Sequence, residues 1–354
     1  MKVKVAECAA LFWSGGQPVW DDALGHRQLA LTPASEGLLR TFATWRELDD
    51  AGLGPEQRSI AARLIDAGVL LEWGSPAHEN EVQVLTGWQP WGAAARQYHL
   101  ASRTLATTVY LDDADSDAEL EARAAYAPPP PPFKTYPEAP AVALATGPPA
   151  SDDWEHGDLV DALHHRRSVR EFAPSAVDLG RLTALLQLGG GIVERRADSL
   201  YGTVAFKASP SAGARDPIEI YAIVRNVVGV DPGLYHFSPG TNALEKVGEL
   251  PSDDAQAAAL GGQGWLAAAP VVLVYSAVIA RTQWRYPSGR AYRDVLIGFG
   301  HVSQTVLVTA AAMGLGATVV TAVSDEDLET MFGLDRTGEP VLGVTAVGVP
   351  APRR

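Results

Sequence analysis

The sequence predicts an α+β protein made of two folded parts joined by a stiff spacer. Three observations predict it. Ile218 to Val224, Val271 to Ala277 and Val341 to Val349 are short runs of mostly apolar and β-branched residues, the pattern of buried strands. Stretches at helical spacing separate them, the longest beginning near Arg293. Pro128 to Pro132 are consecutive prolines, which form a polyproline II rod. The expected division is a module at 1–75, a connecting region at 76–154 and a large domain at 155–354.

Composition narrows the class. The chain has 354 residues, 47% hydrophobic and 20% charged, which suits a core-forming globular protein. A formal net charge of −14 argues against broad nucleic-acid binding but leaves room for a local positive pocket. Cys8 is the one cysteine, so neither an internal disulfide nor a cysteine metal site is expected. Beside Ala9, Ala10 and Leu11 it reads as a small buried hydrophobe. The start lacks a signal peptide's apolar core, and no run reaches the ~18 apolar residues of a membrane span. A cytoplasmic location is expected.

In chain order, Val3 to Trp13 and Val19 to Leu31 carry short apolar runs around a turn, Ser14-Gly15-Gly16-Gln17-Pro18. Thr32-Pro33-Ala34-Ser35-Glu36 starts a helix, with Thr as cap and Pro in the first turn. Leu38, Leu39, Phe42 and Trp45 follow at helical spacing. A second helix runs from Pro55 to about Gly68, and 69–73 reads as a strand. This order is a winged-helix pattern. Arg58 and Arg63 are offset by Glu56 and Asp66, so no basic recognition helix results. The module either binds an extended peptide at a sheet edge or only docks on the main body.

Trp88, Trp91, Tyr98 and His99 read as packing aromatics, with a ligand-facing role for Tyr98 and His99 as the alternative. Residues 112–121 are acidic and expected to be exposed. Residues 106–154 read as an extended linker, with an SH3 ligand as the rival reading of the prolines.

The large domain opens with a helix from Leu159 to His164 and then Arg166-Arg167-Ser168-Val169-Arg170. In an extended segment Arg166, Ser168 and Arg170 alternate onto one side. Two guanidinium forks and a hydroxyl make a phosphate or polyol clamp. A solvated basic turn remains the other reading. Asp178 caps the next helix (Leu182, Leu185, Leu186), and Gly189-Gly190-Gly191 closes it. Ser209 to Pro217 is a tight loop of small residues, either a site for a flat ring or phosphate or an ordinary turn. Tyr235 and Phe237 lie in a structural hairpin.

Arg285 and Tyr286 precede Arg290, Tyr292, Arg293 and the long helix. Arg293, Gly300 and Gln304 share a narrow sector of it, and apolar residues cover the rest. Such a helix is buried in a core or at a subunit interface, so Gln304 needs a partner. His301 reads first as a satisfied buried histidine. Ser324 caps a later helix, and Arg353 and Arg354 are chain-end arginines that could reach a phosphate across a dimer or float free. No G-x-G-x-x-G, Walker A motif or metal-ligand spacing is present, and His164 and His165 cannot easily face one ion. No metal is expected.

Four stretches in order resemble the nitroreductase-like flavoenzymes, and in particular the SagB-type dehydrogenases of thiazole- and oxazole-forming peptide maturation. They are the Arg cluster, SPSAGARDPIEIY from Ser209, RYPSGRAYRDVLIGFGHVSQTVLVTAAAMGLGA from Arg285, and EPVLGVTAVGVP from Glu339. The resemblance covers about 155–354. It implies a nitroreductase-like FMN-binding fold and a homodimer with FMN at its interface. The residues it implies for FMN are Arg166, Arg167, Ser168, Arg170, Ser209, Pro210, Ser211, Gly213, Gln304, Gly314 and Gly316. The N-terminal layout resembles the PqqD-type leader-peptide recognition element, which implies a leader-bearing peptide substrate and a cyclodehydratase partner. The family's proton step uses a Lys-Tyr pair, and here Arg285-Tyr286 stands in that place. Arg stays protonated, so it cannot shuttle a proton, but it can lower the Tyr286 pKa and stabilise developing negative charge. The expected function is azoline oxidation. Another flavin-dependent natural-product reaction and a non-catalytic leader-binding scaffold are the alternatives.

Overall fold

Pro33, Pro55 and Pro76 each open a helix (Pro33–Thr41, Pro55–Asp66, Pro76–Trp88), at the position where a missing N–H costs nothing. The computed structural model describes residues 1–103, 113–147, 151, 154–198, 200 and 202–352. Residues 104–112, the ring of Trp91, and Arg353 and Arg354 fall outside the described residues. So do parts of the expected linker, one packing aromatic and the chain-end arginines. Contacts divide the chain into two units, Met1–Val109 and Tyr110–Arg354.

In the first unit, Ala9–Ser14, Gln17–Asp22 and Arg27–Ala30 form an antiparallel meander. Gly15 and Gly16 make its first turn, with φ of 57° and 82°, the backbone that a two-residue hairpin requires. Lys2–Val5 is the middle strand of a second sheet, between Arg46–Glu47 and Leu70–Glu72. Val3, Trp20, Leu38, Phe42, Leu64 and Leu70 share one core. Thr32 caps its helix as the sequence predicts, its hydroxyl accepting the Ser35 N–H at 3.2 Å. Helices Pro76–Trp88 and Gly92–Ala101 belong to this unit. The buried Glu81 carboxylate accepts the N–H groups of Glu7 (2.6 Å) and Cys8 (2.9 Å). Trp88 packs on His99 with ring centroids 4.4 Å apart. Cys8 is buried, and burial together with the Glu81 charge pushes its thiol up to about 11.

The second unit is built on a seven-stranded antiparallel sheet. Its main elements are β1 (Ala141–Ala143), α1 (Leu159–His165), α2 (Leu179–Gly190), β2 (Ile218–Val224), β3 (Gly233–Ser238) and β4 (Ala243–Gly248). They continue with β5 (Val271–Ala277), α3 (Ile279–Arg285), α4 (Tyr292–Ala312), β6 (Gly316–Val320), α5 (Asp325–Phe332) and β7 (Val341–Gly348). The strand order is β6-β7-β5-β2-β3-β4-β1. Alternate residues of β2 face opposite layers. Ile218, Ile220 and Ala222 pack with Leu182, Leu186, Val302 and Val306 of α2 and α4, while Tyr221 and Ile223 pack with Leu260, Leu328 and Phe332. Covered on both faces, β2 and β5 are mostly apolar, as the sequence predicts, with Glu219 and Ser276 as their buried polar members. Gly189 and Gly190 let α2 approach closely, since a Cβ at either would stand 2.8 Å from a Val306 or Ile220 methyl. Asp178 caps α2 as expected, accepting the Arg181 N–H at 2.8 Å.

The expected extended linker is corrected in part. Asp113–Tyr126 is a helix, in keeping with its Ala, Glu and Leu content, and β1 adds a strand to the sheet edge. The prolines that follow run outside helix and strand and bracket α3. Trp284 Nε1 donates to Ala127 O (2.6 Å) and Arg281 Nε to Pro131 O (2.9 Å). Below α3 lies a buried ionic chain. Arg281 Nη2 stands 2.6 Å from Glu219 Oε1, and His236 joins Glu219 and Glu245, each at 2.9 Å.

The turn and helix at Gly289–Ala312 are the one stretch among the described residues long and apolar enough to cross a membrane, and most of it is buried inside the protein. Its inner side (Val295, Val302, Val306, Ala310) is core. Its outer side exposes Leu296 (42%) and Ile297 (53%), with Gly300, His301 and Gln304 also exposed. The expected need of Gln304 for an internal partner is therefore corrected: its side of the helix faces outward.

Candidate active site

Asp158 starts α1 by accepting the N–H groups of Val160 (2.9 Å) and Asp161 (3.1 Å). The helix ends at Arg166, whose ψ of 120° turns the chain into an extended segment. That segment is tied to the last strands. Val169 N–H donates to Ala317 O (3.2 Å), Thr318 Oγ1 donates to Val169 O (2.6 Å), and Ala351 N–H donates to Glu171 O (3.0 Å). Gly316 permits this approach, because a Cβ there would lie 2.6 Å from Val169 Cγ1.

Beside the segment is a cleft of about 690 Å³. Arg167, Arg170 and Gly314 line it, with Leu307, Ala311 and Leu315 as an apolar wall. Gly314 has a φ of 70°, a backbone that favours glycine, and the Glu155 carboxylate lies against it. The expected alternation of Arg166, Ser168 and Arg170 is corrected. Of these three only Arg170 lines the cleft, and Arg167 joins it. A single bridge, Ser168 to Ala317, pairs this stretch with a strand, so no ladder enforces the pleat. Arg167 Nη1 also donates to the carbonyls of His164 and Arg166, both at 2.8 Å.

The 209–217 loop sits on α4, nearer the N-terminal end of that helix. Ser209 and Thr305 share a hydroxyl hydrogen bond (2.8 Å), and His301 Nδ1 lies 2.9 Å from Pro210 O, the imidazole donating. His301 is thus an exposed loop anchor rather than a buried histidine. Ser211 Oγ accepts the Asp216 N–H at 2.9 Å. Gly213, Ala214 and Asp216 all have φ between 42° and 57°. Two non-glycine residues in that region mark a strained loop, of the kind that surrounding structure must hold. Burial raises the Asp216 carboxyl above its ordinary value.

Tyr286 meets this loop. A Cβ on Gly213 would stand 2.8 Å from Tyr286 Oη, and the Arg285 guanidinium lies 5.4 Å from the Tyr286 ring centroid. Tyr286 also lines a separate pocket of about 290 Å³ with Ile279, Thr282, Pro287, Tyr292 and Val295. So the structure brings Gly213 to Arg285-Tyr286, and Arg167, Arg170 and Gly314 to one cleft. The loop does not line that cleft. One helix serves both places, Leu307 and Ala311 at the cleft and His301 and Thr305 under the loop. Sequence reasoning missed Glu155, His156 and Trp265, whose ring centroid lies 5.8 Å from the Arg170 guanidinium. Each comes from far along the chain or from a loop without a motif.

Residues 163–349 match the model of the nitroreductase family, more than half of the chain. The chain belongs to the nitroreductase family. MJ1384 of Methanocaldococcus jannaschii, which carries a nitroreductase name, is 36% identical over 51% of this chain and 86% of its own length. The trifolitoxin-processing protein TfxB of Rhizobium leguminosarum bv. trifolii is 25% identical over 46% of this chain and 44% of its own. A crystal structure from Anabaena variabilis, described as a nitroreductase, shares the fold with a TM-score of 0.53 at 19% identity. It covers 72% of this chain and 47% of that one. Membership makes this chain a nitroreductase-like flavin oxidoreductase, with the α+β fold of that family.

Proposed function

We propose that the protein is an FMN-dependent dehydrogenase that oxidises azoline rings to azoles in a ribosomally made peptide. The cleft of Arg167, Arg170 and Gly314 carries this reading. Two guanidinium forks suit a phosphate, the wall of Leu307, Ala311 and Leu315 suits an apolar ring, and the volume is that of a cofactor site. FMN fits these residues, and when bound it would accept a hydride and hand the electrons to oxygen.

This chain's residues would divide the remaining work. Arg167 and Arg170 hold the phosphate, with Arg166 and Ser168 on the same segment close by. Ser209, Pro210, Ser211 and Gly213, from one copy, and Gln304, Gly314 and Gly316 border the ring in a homodimer. Tyr286, acting as the phenolate, takes the proton from the substrate ring carbon at its oxygen and then releases it to solvent. Arg285, always charged, stabilises negative charge that develops on the substrate. In the first unit, Ala9–Ser14 is an edge strand exposing Leu11, Phe12 and Trp13. It offers a leader peptide a place to add as a strand, the role expected of a PqqD-like winged-helix module. The relative named for trifolitoxin processing supports a peptide substrate, and a cyclodehydratase would supply the azoline.

The test has two steps. The purified protein should show the absorbance of bound flavin. With a leader-bearing azoline peptide it should then remove two hydrogens per ring, read by mass spectrometry. Absence of flavin, even after FMN is added, would leave only a leader-binding scaffold. Bound flavin without azoline turnover would favour a second reading, another flavin-dependent oxidation in natural-product biosynthesis. The replacement of the family's lysine by Arg285 is the observation that favours that alternative.

A further inference from the structure

His156, Asp161 and His165 converge beside the clamp although nothing in the proposed chemistry uses them. Asp161 and His165 are one turn apart on α1, and His156 precedes the helix. His156 Nδ1 lies 2.6 Å from Asp161 Oδ2, and His165 Nδ1 lies 3.0 Å from Asp161 Oδ1. The two imidazoles stack face to face, centroids 4.1 Å apart and planes within 4°. Their candidate donor atoms all lie within 4.8 Å of one another. The Glu155 carboxylate is close as well, 3.7 Å from His156 Nε2.

The arrangement is held from two directions. The His156 N–H donates to Ala312 O at 2.8 Å, fixing it to the end of α4. Asp158 caps α1 and sets the turn that presents Asp161. The cluster is also open to approach. Asp161 and His165 line a surface pocket of about 670 Å³, and His156 and His165 line the clamp cleft. Adjacent spacing of His164 and His165 hides this in the sequence, because the partner of His165 lies on the far side of a turn.

We propose that His156, Asp161 and His165 form a binding site for a borderline divalent metal of the zinc class. Two imidazole nitrogens and one carboxylate oxygen are the donor set such ions select, whereas magnesium and calcium select all-oxygen sites. Three protein ligands leave a further position for water or for Glu155. Chelation would turn the stacked imidazoles about their side-chain torsions so that both in-plane lone pairs meet one ion, the donor atoms already lying within 4.8 Å of one another.

The experiment uses the full chain as purified, with any affinity tag removed, titrated with zinc chloride in a calorimeter. The expected result is saturable binding of one ion per chain at micromolar concentration and no comparable heat with magnesium chloride. Asp161→Asn and His165→Ala should each weaken zinc binding by about tenfold or more. His164→Ala, beside the cluster but outside it, should leave zinc binding unchanged. His165 is exposed and Asp161→Asn keeps the side chain's shape, so both variants keep the fold, which circular dichroism checks. No saturable zinc binding, equal affinity for magnesium, or unchanged zinc affinity in both variants would overturn the site. The readout is metal binding rather than peptide oxidation, so its failure leaves the proposed activity untouched.

Discussion

On the proposed reading, flavin retention turns on Arg170. Its guanidinium lies over the Trp265 ring, a contact that fixes the fork's plane before any phosphate arrives. A charge-assisted hydrogen bond contributes about 1.5–3 kcal/mol, so Arg170→Ala should weaken FMN about tenfold or more, measured by fluorescence of the released cofactor. The basic cluster itself was legible in the sequence. Which of its arginines enter the cleft was not, because alternation presumes a strand ladder and this segment is joined by isolated bridges, Ser168–Ala317 and Phe172–Pro350. On the same proposed reading, Tyr286 is the second decisive residue. Its hydroxyl is packed against Gly213, in a loop where both Ala214 and Asp216 hold strained backbones. Tyr286→Phe keeps the ring beside Gly213, where an added Cβ would stand 3.4 Å from Cε2, and removes the hydroxyl, the proposed proton acceptor. Flavin content should therefore be unchanged while turnover of an azoline peptide falls by about 10²-fold or more, the size of a general-base contribution. A mutant that turns over as fast as the native protein would take Tyr286 out of the mechanism.

At the scale of elements, α3 matters most, because it delivers Arg285 and Tyr286 to the loop. It rests on the buried chain of Arg281, Glu219, His236 and Glu245. Burial alone would raise the Glu219 carboxyl, but the His236 hydrogen bond and the Arg281 charge outweigh it and hold it down at about 2. Its ordinary value is 4.5. A carboxyl depressed by folding adds stability that is complete above that ordinary value and is lost as pH falls toward the folded one. The native protein should therefore lose this increment between pH 4.5 and 2. Glu219→Gln should cost about 3 kcal/mol near neutral pH, where it strands the Arg281 charge, and less in acid. Urea unfolding of both proteins at about pH 6 and about pH 2.5 measures the difference. A gap that stays constant with pH would show that the pair does not titrate on folding. The strands of this core were legible because burial on both faces makes β2 and β5 mostly apolar and β-branched, with only Glu219 and Ser276 as exceptions. The ionic chain beneath α3 was not, because its members come from β2, β3, β4 and α3 and meet only after the sheet pairs.

At the scale of the whole molecule, the sequence announced most strands and helices of the catalytic unit and the turn chemistry of the first unit. It misjudged Asp113–Tyr126, where a nearby proline run suggested extension although the residues themselves favour a helix. It also showed α4 as apolar nearly all round without saying what covers each side. The structure separates the two: Val295, Val302 and Val306 face the sheet, and Leu296 and Ile297 face outward. An outward apolar stripe beside His301 and Gln304, on the helix that serves both the cleft and the loop, is where a second copy would pack. Since the loop does not line the cleft of its own chain, a second copy would also be the means of bringing loop and clamp to one flavin. Ile297→Glu places a charge in that stripe without touching the core. It should convert a dimer to a monomer in light scattering and lower flavin content together with it, while the isolated chain still unfolds cooperatively. If the variant stays dimeric, or the native protein is monomeric with full flavin, then each chain completes its own site and the stripe has another use.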